Sequence, residues 1–212
     1  MGEIMSLMND LNIQELNRVL KNVHPKEIVE WILELRKKIV VTTNFRPYES
    51  AILHLVTNQH PSAKIIWCDS GYNTQQTYKH AENLIQSLAL NIYLYVPKQT
   101  VAHRNIVYGI PTVHDENHIA FTEQVKLEPF KRAMLEHQPE VWFTNLRKGQ
   151  TAFRDSIDIL SFSKNGVLKV SPFYHWSDKD LDAYLKEHKL PNEFTYFDPT
   201  KVESNRECGL HI

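Results

Sequence analysis

Apolar residues recur at helical spacing near the N-terminus and then gather in short β-branched runs. One helix face consists of Leu16, Val19, Leu20 and Val23, and a second of Ile28, Val29, Ile32, Leu33 and Leu35. Residues 1–37 are therefore predicted to contribute N-terminal helices. The run from Lys38 to Thr43 is rich in β-branched residues and predicts a first buried strand.

Strand-like and helix-like segments alternate after this run. Further strands are expected at Lys64–Cys68, Asn91–Val96 and Val141–Thr144, and as a hairpin of Asp158–Ser163 with Val167–Ser171 around an Asn-Gly turn. Helices are expected at Ser50–Val56, Thr74–Ala89 and Phe130–His137, and after Ser177, which resembles a capping box with Asp180. The stretch Pro97–Thr122 is weakly patterned.

This alternation predicts an α/β fold. We expect a single doubly wound, Rossmann-like domain over residues 38–190, with a mostly parallel central sheet. Residues 191–212 are polar and show no core periodicity, so they are expected to form a mobile C-terminal tail.

Composition narrows the setting of the protein. The 212 residues carry a net charge of -1, so the overall charge does not favour binding to nucleic acid or to a membrane surface. The two cysteines, Cys68 and Cys208, form no disulfide framework, which suits a reducing compartment. The first eleven residues lack the apolar core of a signal peptide. We therefore expect a soluble cytoplasmic protein.

Polar loops follow two of the predicted strands. The segment Thr42–Ser50 offers hydroxyls, Arg46 and the start of a helix, which suits an anion such as phosphate, although an ordinary strand-to-helix loop explains it as well. The segment Cys68–Tyr72 follows the second strand. Because ligands collect at the carboxyl ends of parallel strands, both loops point to one edge of the sheet.

A third polar segment follows the strand ending near Thr144. It contains Arg147, Lys148, Gln150 and Arg154, and either an oxyanion site or a solvated basic loop would account for it. Lys169 stands on an otherwise apolar strand. Since a buried lysine is costly unless it is paired, we expect it to reach solvent or a ligand.

The C-terminal Cys208 stands between two basic side chains, with Arg206 two residues before it and His211 three residues after. Cationic neighbours and exposure favour the thiolate, which attacks electrophilic sulfur. The alternative is a terminal cysteine without a role.

Several segments together resemble the thioredoxin-dependent phosphoadenosine phosphosulfate (PAPS) reductases, within the adenine nucleotide α-hydrolase-like group. The terminal Arg-Glu-Cys-Gly-Leu-His resembles that family's signature, and Asp69–Tyr72 resembles its D-T-G-Y. Trp142–Arg154 resembles its W-F-x-x-L-R-x-x-Q-x-x-x-R, Leu168–Trp176 its F-K-V-x-P-x-x-x-W, and Thr42–Val56 its S-S-S-F-G loop and helix. The resemblance extends from about residue 38 to the end.

The resemblance implies reduction of PAPS to sulfite and adenosine 3′,5′-bisphosphate in sulfate assimilation and cysteine biosynthesis. It implies a Cys208 S-sulfo intermediate, resolved by thioredoxin or glutaredoxin as electron donor, with His211 pairing with the thiolate or orienting the tail, and a homodimer. The substrate-binding residues implied are Thr42, Thr43, Asn44, Phe45, Arg46, Asp69, Gly71, Tyr72, Arg147, Lys148, Gln150, Arg154 and Lys169.

Three features depart from the family pattern. Arg46 and Pro47 replace a glycine and a small residue, which would block backbone approach or add a side-chain contact to phosphate. Gln76 stands where Glu is usual, and the segment before Cys208 is short.

No cofactor or metal site is expected. Two cysteines cannot supply the four thiolates of the [4Fe–4S] cluster common in adenosine phosphosulfate reductases, and the histidines at 114 and 118 lack neighbouring ligands. The alternatives left open are a cluster-free adenosine phosphosulfate reductase, an ATP-pyrophosphatase-type adenylyl transferase and a non-catalytic nucleotide-binding protein.

Overall fold

The structure, a computed structural model, describes residues 13–112 and 114–200. Its strands are β1 (Ile39–Thr43), β2 (Lys64–Cys68), β3 (Asn91–Tyr95), β4 (Val141–Phe143), β5 (Leu160–Phe162) and β6 (Leu168–Val170). Its α-helices are α1 (Ile13–Leu20), α2 (Pro25–Glu34), α3 (Glu49–Gln59), α4 (Gln75–Ser87), α5 (Val101–Val107), α6 (His118–Thr122), α7 (Glu128–His137), α8 (Ala152–Asp155) and α9 (Asp178–Glu187). A π-helical turn, Glu123–Leu127, joins α6 to α7.

The six strands form one sheet in the order β3-β2-β1-β4-β6-β5. All pairs are parallel except β5 with β6, the predicted hairpin, which lies at one edge. The chain moves outward from β1 through β2 to β3 and then returns to place β4 on the other side of β1. The predicted doubly wound α/β fold is confirmed, with its switch point between β1 and β4.

Strand β1 is buried because helices cover both faces of the sheet. Val41 belongs to the larger apolar cluster, which includes Ile28 of α2 and Ile52 of α3. Val40 belongs to a smaller cluster on the opposite face, with Ala133 of α7. This two-sided burial explains why the strand reads as a β-branched run rather than as an alternating pattern.

The N-terminal helices are tied to the edge of the sheet. The buried Asn17 side chain donates from Nδ2 to the Leu160 carbonyl at 2.9 Å and accepts from the Leu160 N–H at 2.8 Å. This pair of hydrogen bonds satisfies the backbone of Leu160 on the edge strand β5, so that α1 covers this part of the sheet edge.

The weakly patterned stretch contains two short helices, α5 and α6. Their helical period is hard to read from the sequence because large apolar side chains on them face solvent, among them Ile106 and Ile119. The segment is instead held by polar contacts: buried Arg104 donates to the Tyr72 hydroxyl at 3.1 Å and to the Gln99 carbonyl at 2.7 Å.

The expectation of a mobile C-terminal tail over residues 191–212 needs a correction for its first residues. Ser50 Oγ donates to the Pro191 carbonyl at 2.8 Å, and Thr74 Oγ1 donates to the Thr195 carbonyl at 2.6 Å. Thr200 is only 1% exposed. Polar hydrogen bonds, rather than apolar burial, therefore fix residues 191–200 to the domain. The predicted catalytic residues Cys208 and His211 lie outside the described residues.

Within the described part of the chain, no helix is both long enough and apolar enough to cross a bilayer.

Candidate active site

A polar cleft opens at the carboxyl ends of β1, β2 and β4. It encloses about 620 Å³ of space, part of which is open to solvent. Its lining residues are Thr42, Thr43, Asn44, Arg46, Glu49, Ile66, Cys68, Lys126, Phe130, Thr144, Asn145, Arg154, Tyr196 and Asp198. The cleft therefore sits at the switch point of the sheet, where open α/β folds bind their ligands.

The loop after β1 curls around a carboxylate of its own chain. Glu49 accepts from Thr43 Oγ1 and the Asn44 N–H, both at 2.8 Å, from the Arg46 N–H at 3.3 Å and from Arg46 Nε at 2.5 Å. Phe45 and Tyr48 adopt left-handed backbone conformations, with φ of 52° and 67°. These two residues turn the loop so that the N–H groups of Asn44 and Arg46 converge on Glu49.

The predicted residues of this loop have different placements. Thr42 lines the cleft, and its Oγ1 accepts from Trp142 Nε1 at 2.8 Å. The side chain of Phe45 is fully buried and packs edge-on against Trp67 at 4.9 Å. Any contact between Phe45 and a ligand would therefore come from its backbone.

The loop after β2 is organised by Asp69. Its Oδ1 accepts from the Gly71 N–H at 2.8 Å, from Asn73 Nδ2 at 2.9 Å and from the Tyr78 hydroxyl at 3.0 Å. Burial, followed by the Asp69 charge and hydrogen bond, raises the pKa of Tyr78 to about 12, so this hydroxyl remains a donor. The Tyr72 hydroxyl donates to Asn105 at 2.7 Å and so ties the loop to α5.

A buried ion pair forms part of the cleft wall. Lys126, on the π-helical turn, donates to the Asp198 carboxylate and, at 3.3 Å, to Thr200 Oγ1. Burial would raise the pKa of Asp198, but the Lys126 charge and the hydrogen bonds from Lys126 and Thr200 outweigh it and hold this pKa below its usual value. The segment approaching the C-terminus is thus anchored beside the cleft by charge.

The wall of the cleft that follows strand β4 contains a cation, Arg154, and an amide, Asn145. Arg154 of α8 is 3% exposed, and its guanidinium donates to Gln150 Oε1. The Oδ1 atom of buried Asn145 has no hydrogen-bond partner among the described residues. A ligand hydroxyl or amino group reaching this wall would satisfy that oxygen.

Cys68 lies in the cleft but is poorly suited to act as a nucleophile. Burial raises the pKa of its thiol to about 12, and the nearby charges of Lys126 and Arg132 offset this only in part. Since the thiolate is the reactive form, Cys68 is protonated and unreactive near neutral pH.

Three predicted basic residues lie elsewhere. Arg147 donates to Asp178 at the start of α9 at 2.6 Å and stacks over the Tyr48 ring at 5.1 Å. Lys148 is exposed. Lys169 was expected to reach solvent or a ligand; it does not reach solvent, since it is 2% exposed and its Nζ lies 5.9 Å from the Phe153 ring centroid, and contact with a ligand stays a prediction.

The structure adds three charged residues that the sequence did not single out. Glu49 had only a weak indication in the sequence, because it is an acidic residue in the first turn of a helix that follows a polar loop. Lys126 and Asp198 had none, because 72 residues separate them and only the fold brings them together.

No group of three or more potential metal-binding side chains occurs within residues 13–112 and 114–200. His118 is buried and its Nε2 lies 3.4 Å from the Pro199 carbonyl oxygen.

A doubly wound sheet with a polar, cation-bearing cleft at its switch point defines an open α/β protein with a site suited to an anionic ligand. The phosphoadenosine phosphosulfate reductase domain matches residues 38–198, and the chain belongs to that family.

Curated relatives agree with this assignment. The chain is 32% identical to a phosphoadenosine 5′-phosphosulfate reductase of Photobacterium profundum, over 95% of this chain and 88% of that protein. It is 34% identical to the enzyme of the same name from Vibrio campbellii, over 85% of this chain and 70% of that protein.

Solved structures support the fold. A phosphoadenylyl-sulfate reductase from Candida auris, solved as a phosphate complex, is similar with a TM-score of 0.74 at 22% identity, over 85% of this chain and 87% of that one. A tRNA thiolase from Methanococcus maripaludis, which carries a [4Fe–4S] cluster, is similar with a TM-score of 0.54 at 10% identity, over 79% of this chain and 64% of that one.

Proposed function

We propose that this protein reduces PAPS to sulfite and adenosine 3′,5′-bisphosphate, with Cys208 as the nucleophile and thioredoxin, or a glutaredoxin, as the electron donor. The reaction would belong to sulfate assimilation in the cytoplasm and would lead toward cysteine biosynthesis. A homodimer stays a prediction.

The observation that carries this proposal is the cleft itself. It lies at the switch point of the sheet and is lined by Lys126 and Arg154, within a domain whose family and curated relatives bear the name of this reaction. Cationic side chains in a partly closed cleft suit a substrate that carries phosphate and sulfate groups.

The short sequence distance from Thr200 to Cys208 supports a role for Cys208 in the cleft. Thr200 is hydrogen-bonded to Lys126 on the cleft wall, and Cys208 follows eight residues later. Eight extended residues span at most about 28 Å. The anchored segment 191–200 would therefore serve as a fixed base from which the terminal residues reach the substrate.

In the first proposed step, the Cys208 thiolate attacks the sulfur atom of the sulfate group. A bond forms between Sγ and this sulfur, and the bond from sulfur to the bridging phosphate oxygen breaks. The electron pair of the broken bond leaves on that oxygen as adenosine 3′,5′-bisphosphate, and Cys208 becomes S-sulfocysteine. Arg154 on the cleft wall would stabilise the developing phosphate charge.

In the second step, a thiolate of reduced thioredoxin attacks Sγ of Cys208, and sulfite leaves with the electron pair of the sulfur–sulfur bond. The second thioredoxin thiol then attacks the mixed disulfide, which regenerates the Cys208 thiolate and leaves thioredoxin oxidised. The two electrons that reduce the sulfate sulfur thus come from thioredoxin. His211 would pair with the thiolate between cycles.

The test uses PAPS and reduced thioredoxin, with sulfite as the measured product. Cys208→Ser is expected to abolish sulfite release while adenosine 3′,5′-bisphosphate still binds. Without reductant, wild type is expected to gain the mass of one SO₃ group on the peptide that contains Cys208. Sulfite release by the mutant at the wild-type rate would overturn the proposal.

Cys68→Ser is the matched control for the mass experiment. Because the Cys68 thiol is protonated near neutral pH, its replacement is expected to leave the SO₃ label on the Cys208 peptide. Loss of the SO₃ label in Cys68→Ser would show that Cys68, and not Cys208, is the nucleophile. Running adenosine phosphosulfate beside PAPS tests the choice of substrate.

A further inference from the structure

The loop after β1 already holds an anion, and that anion is Glu49. Its carboxylate is 4% exposed and accepts four hydrogen bonds, all from the loop segment Thr43–Arg46. Two donors are backbone N–H groups, one is a hydroxyl and one belongs to a guanidinium. This is the set of donors that a bound sulfate or phosphate oxygen would receive from such a loop.

The position of Glu49 places it in competition with a ligand. Glu49 lines the cleft together with all of its donors, Thr43, Asn44 and Arg46. A substrate anion entering this corner would lose the N–H groups to the carboxylate and would also meet its negative charge at close range. The opposite wall carries Arg154, at 3% exposure.

We propose that Glu49 is a resident intramolecular anion that closes the loop to anionic groups of the ligand. The sulfonucleotide is then held through the side chains of the opposite wall, and the β1 loop only shapes the cleft. This deepens the proposed function and rests on it for the identity of the ligand, whereas the occupation of the loop is a property of the fold.

The proposal predicts that removing the carboxylate creates an anion site. In Glu49→Ala, the N–H groups of Asn44 and Arg46 lose their acceptor, and unsatisfied buried donors destabilise a fold. Inorganic sulfate would supply the missing oxygen atoms. Glu49→Ala is therefore expected to melt at a lower temperature than wild type in anion-free buffer and to recover on addition of sulfate.

Isothermal titration with inorganic sulfate gives the direct measurement. Affinity is expected to rise at least about tenfold in Glu49→Ala, since even one charge-assisted hydrogen bond regained is worth that factor. Glu49→Gln keeps the volume and loses the charge, so it is expected to show a smaller gain in the same direction. This second variant keeps the test open if Glu49→Ala fails to fold.

Two controls assign the effect to the loop. Glu82→Ala removes an exposed glutamate from α4 and is expected to bind sulfate as wild type does. The double variant Thr43→Val with Glu49→Ala removes the loop hydroxyl and is expected to lose much of the gain in affinity.

Unchanged sulfate affinity in both Glu49 variants would overturn the proposal, as would a gain that survives intact in the double variant. Neither readout uses PAPS turnover. If wild type releases no sulfite from PAPS but the Glu49 variants bind sulfate more tightly, the proposed reaction is wrong and the role of Glu49 stands. If wild type releases sulfite but the variants show no rise in sulfate affinity, only the role of Glu49 is wrong.

Discussion

Lys126 and Asp198 form an ion pair that joins the middle of the chain to the segment leading toward the C-terminus. Lys126 lies on the π-helical turn before α7, and its side chain and that of Asp198 are 7% and 9% exposed. The pair also forms part of the cleft wall. One contact therefore shapes the site and anchors the segment 191–200 beside it.

Asp198→Ala is expected to destabilise the protein by about 3–5 kcal/mol, because it leaves the Lys126 charge buried without its partner. Urea unfolding followed by circular dichroism measures this loss. Limited proteolysis is expected to cut the segment 191–200 more readily in the variant, since that segment loses its charged anchor.

The double variant Lys126→Met with Asp198→Leu provides the control. Replacing both charges by apolar side chains of similar size removes the cost of an unpaired charge, so most of the lost stability is expected to return. A double variant as unstable as Asp198→Ala would show that the pair does not act as a unit.

Stability is expected to fall as the pH drops below about 6.5, the ordinary histidine value. Burial, followed by the neighbouring His188, lowers the pKa of His54, whose Nδ1 lies 2.8 Å from the Tyr184 hydroxyl. Because the pKa of His54 is lower in the folded protein, the unfolded chain takes up its proton at a higher pH as the solution is acidified. The stability that comes from neutral His54 is therefore present above the pKa of the unfolded state and is lost as the pH falls through the pKa of the folded state.

Urea unfolding at about pH 7.5 and about pH 5.5, on either side of the histidine value, measures this slope. His54→Gln cannot titrate and is expected to show a weaker dependence on pH than wild type. An identical slope in both proteins would assign the acid sensitivity to other groups.

Gly71→Ala is expected to cost more stability than Gly166→Ala, although both glycines have positive φ, 82° and 76°. The left-handed conformation alone costs alanine about 1–2 kcal/mol at either site. A Cβ at position 71 would also clash with Val101 Cγ2, whereas position 166 is open. Overpacking adds about 1–3 kcal/mol at Gly71, and thermal unfolding of the two variants compares them directly.

Asp69→Ala is expected to weaken binding of adenosine 3′,5′-bisphosphate by about tenfold or more, because Asp69 holds the loop through three separate donors and a loss of 1.4 kcal/mol already gives that factor. Tyr78→Phe removes only one of these donors and is expected to have a smaller effect. Titration calorimetry distinguishes the two, and equal losses would mean that the Tyr78 contact alone orders the loop.

Local sequence was enough to predict the layers of the fold. The apolar run of β1 predicts a buried strand, and the hydrogen bonds between Ser177 and Asp180 predict the start of α9. Both features depend only on residues that are close together in the sequence. Because the carboxyl ends of parallel strands share one edge, the sequence also brought Thr42 and Cys68 to a common site.

The tertiary structure alone decided which polar side chains meet. Arg147 and Arg154 stand in one basic segment, yet Arg147 pairs with Asp178 while Arg154 lines the cleft. Lys126 finds Asp198 across 72 residues, and Glu49 turns back onto its own loop. Side-chain direction and long-range pairing depend on how the elements pack, and neither hydrophobic period nor composition encodes that arrangement.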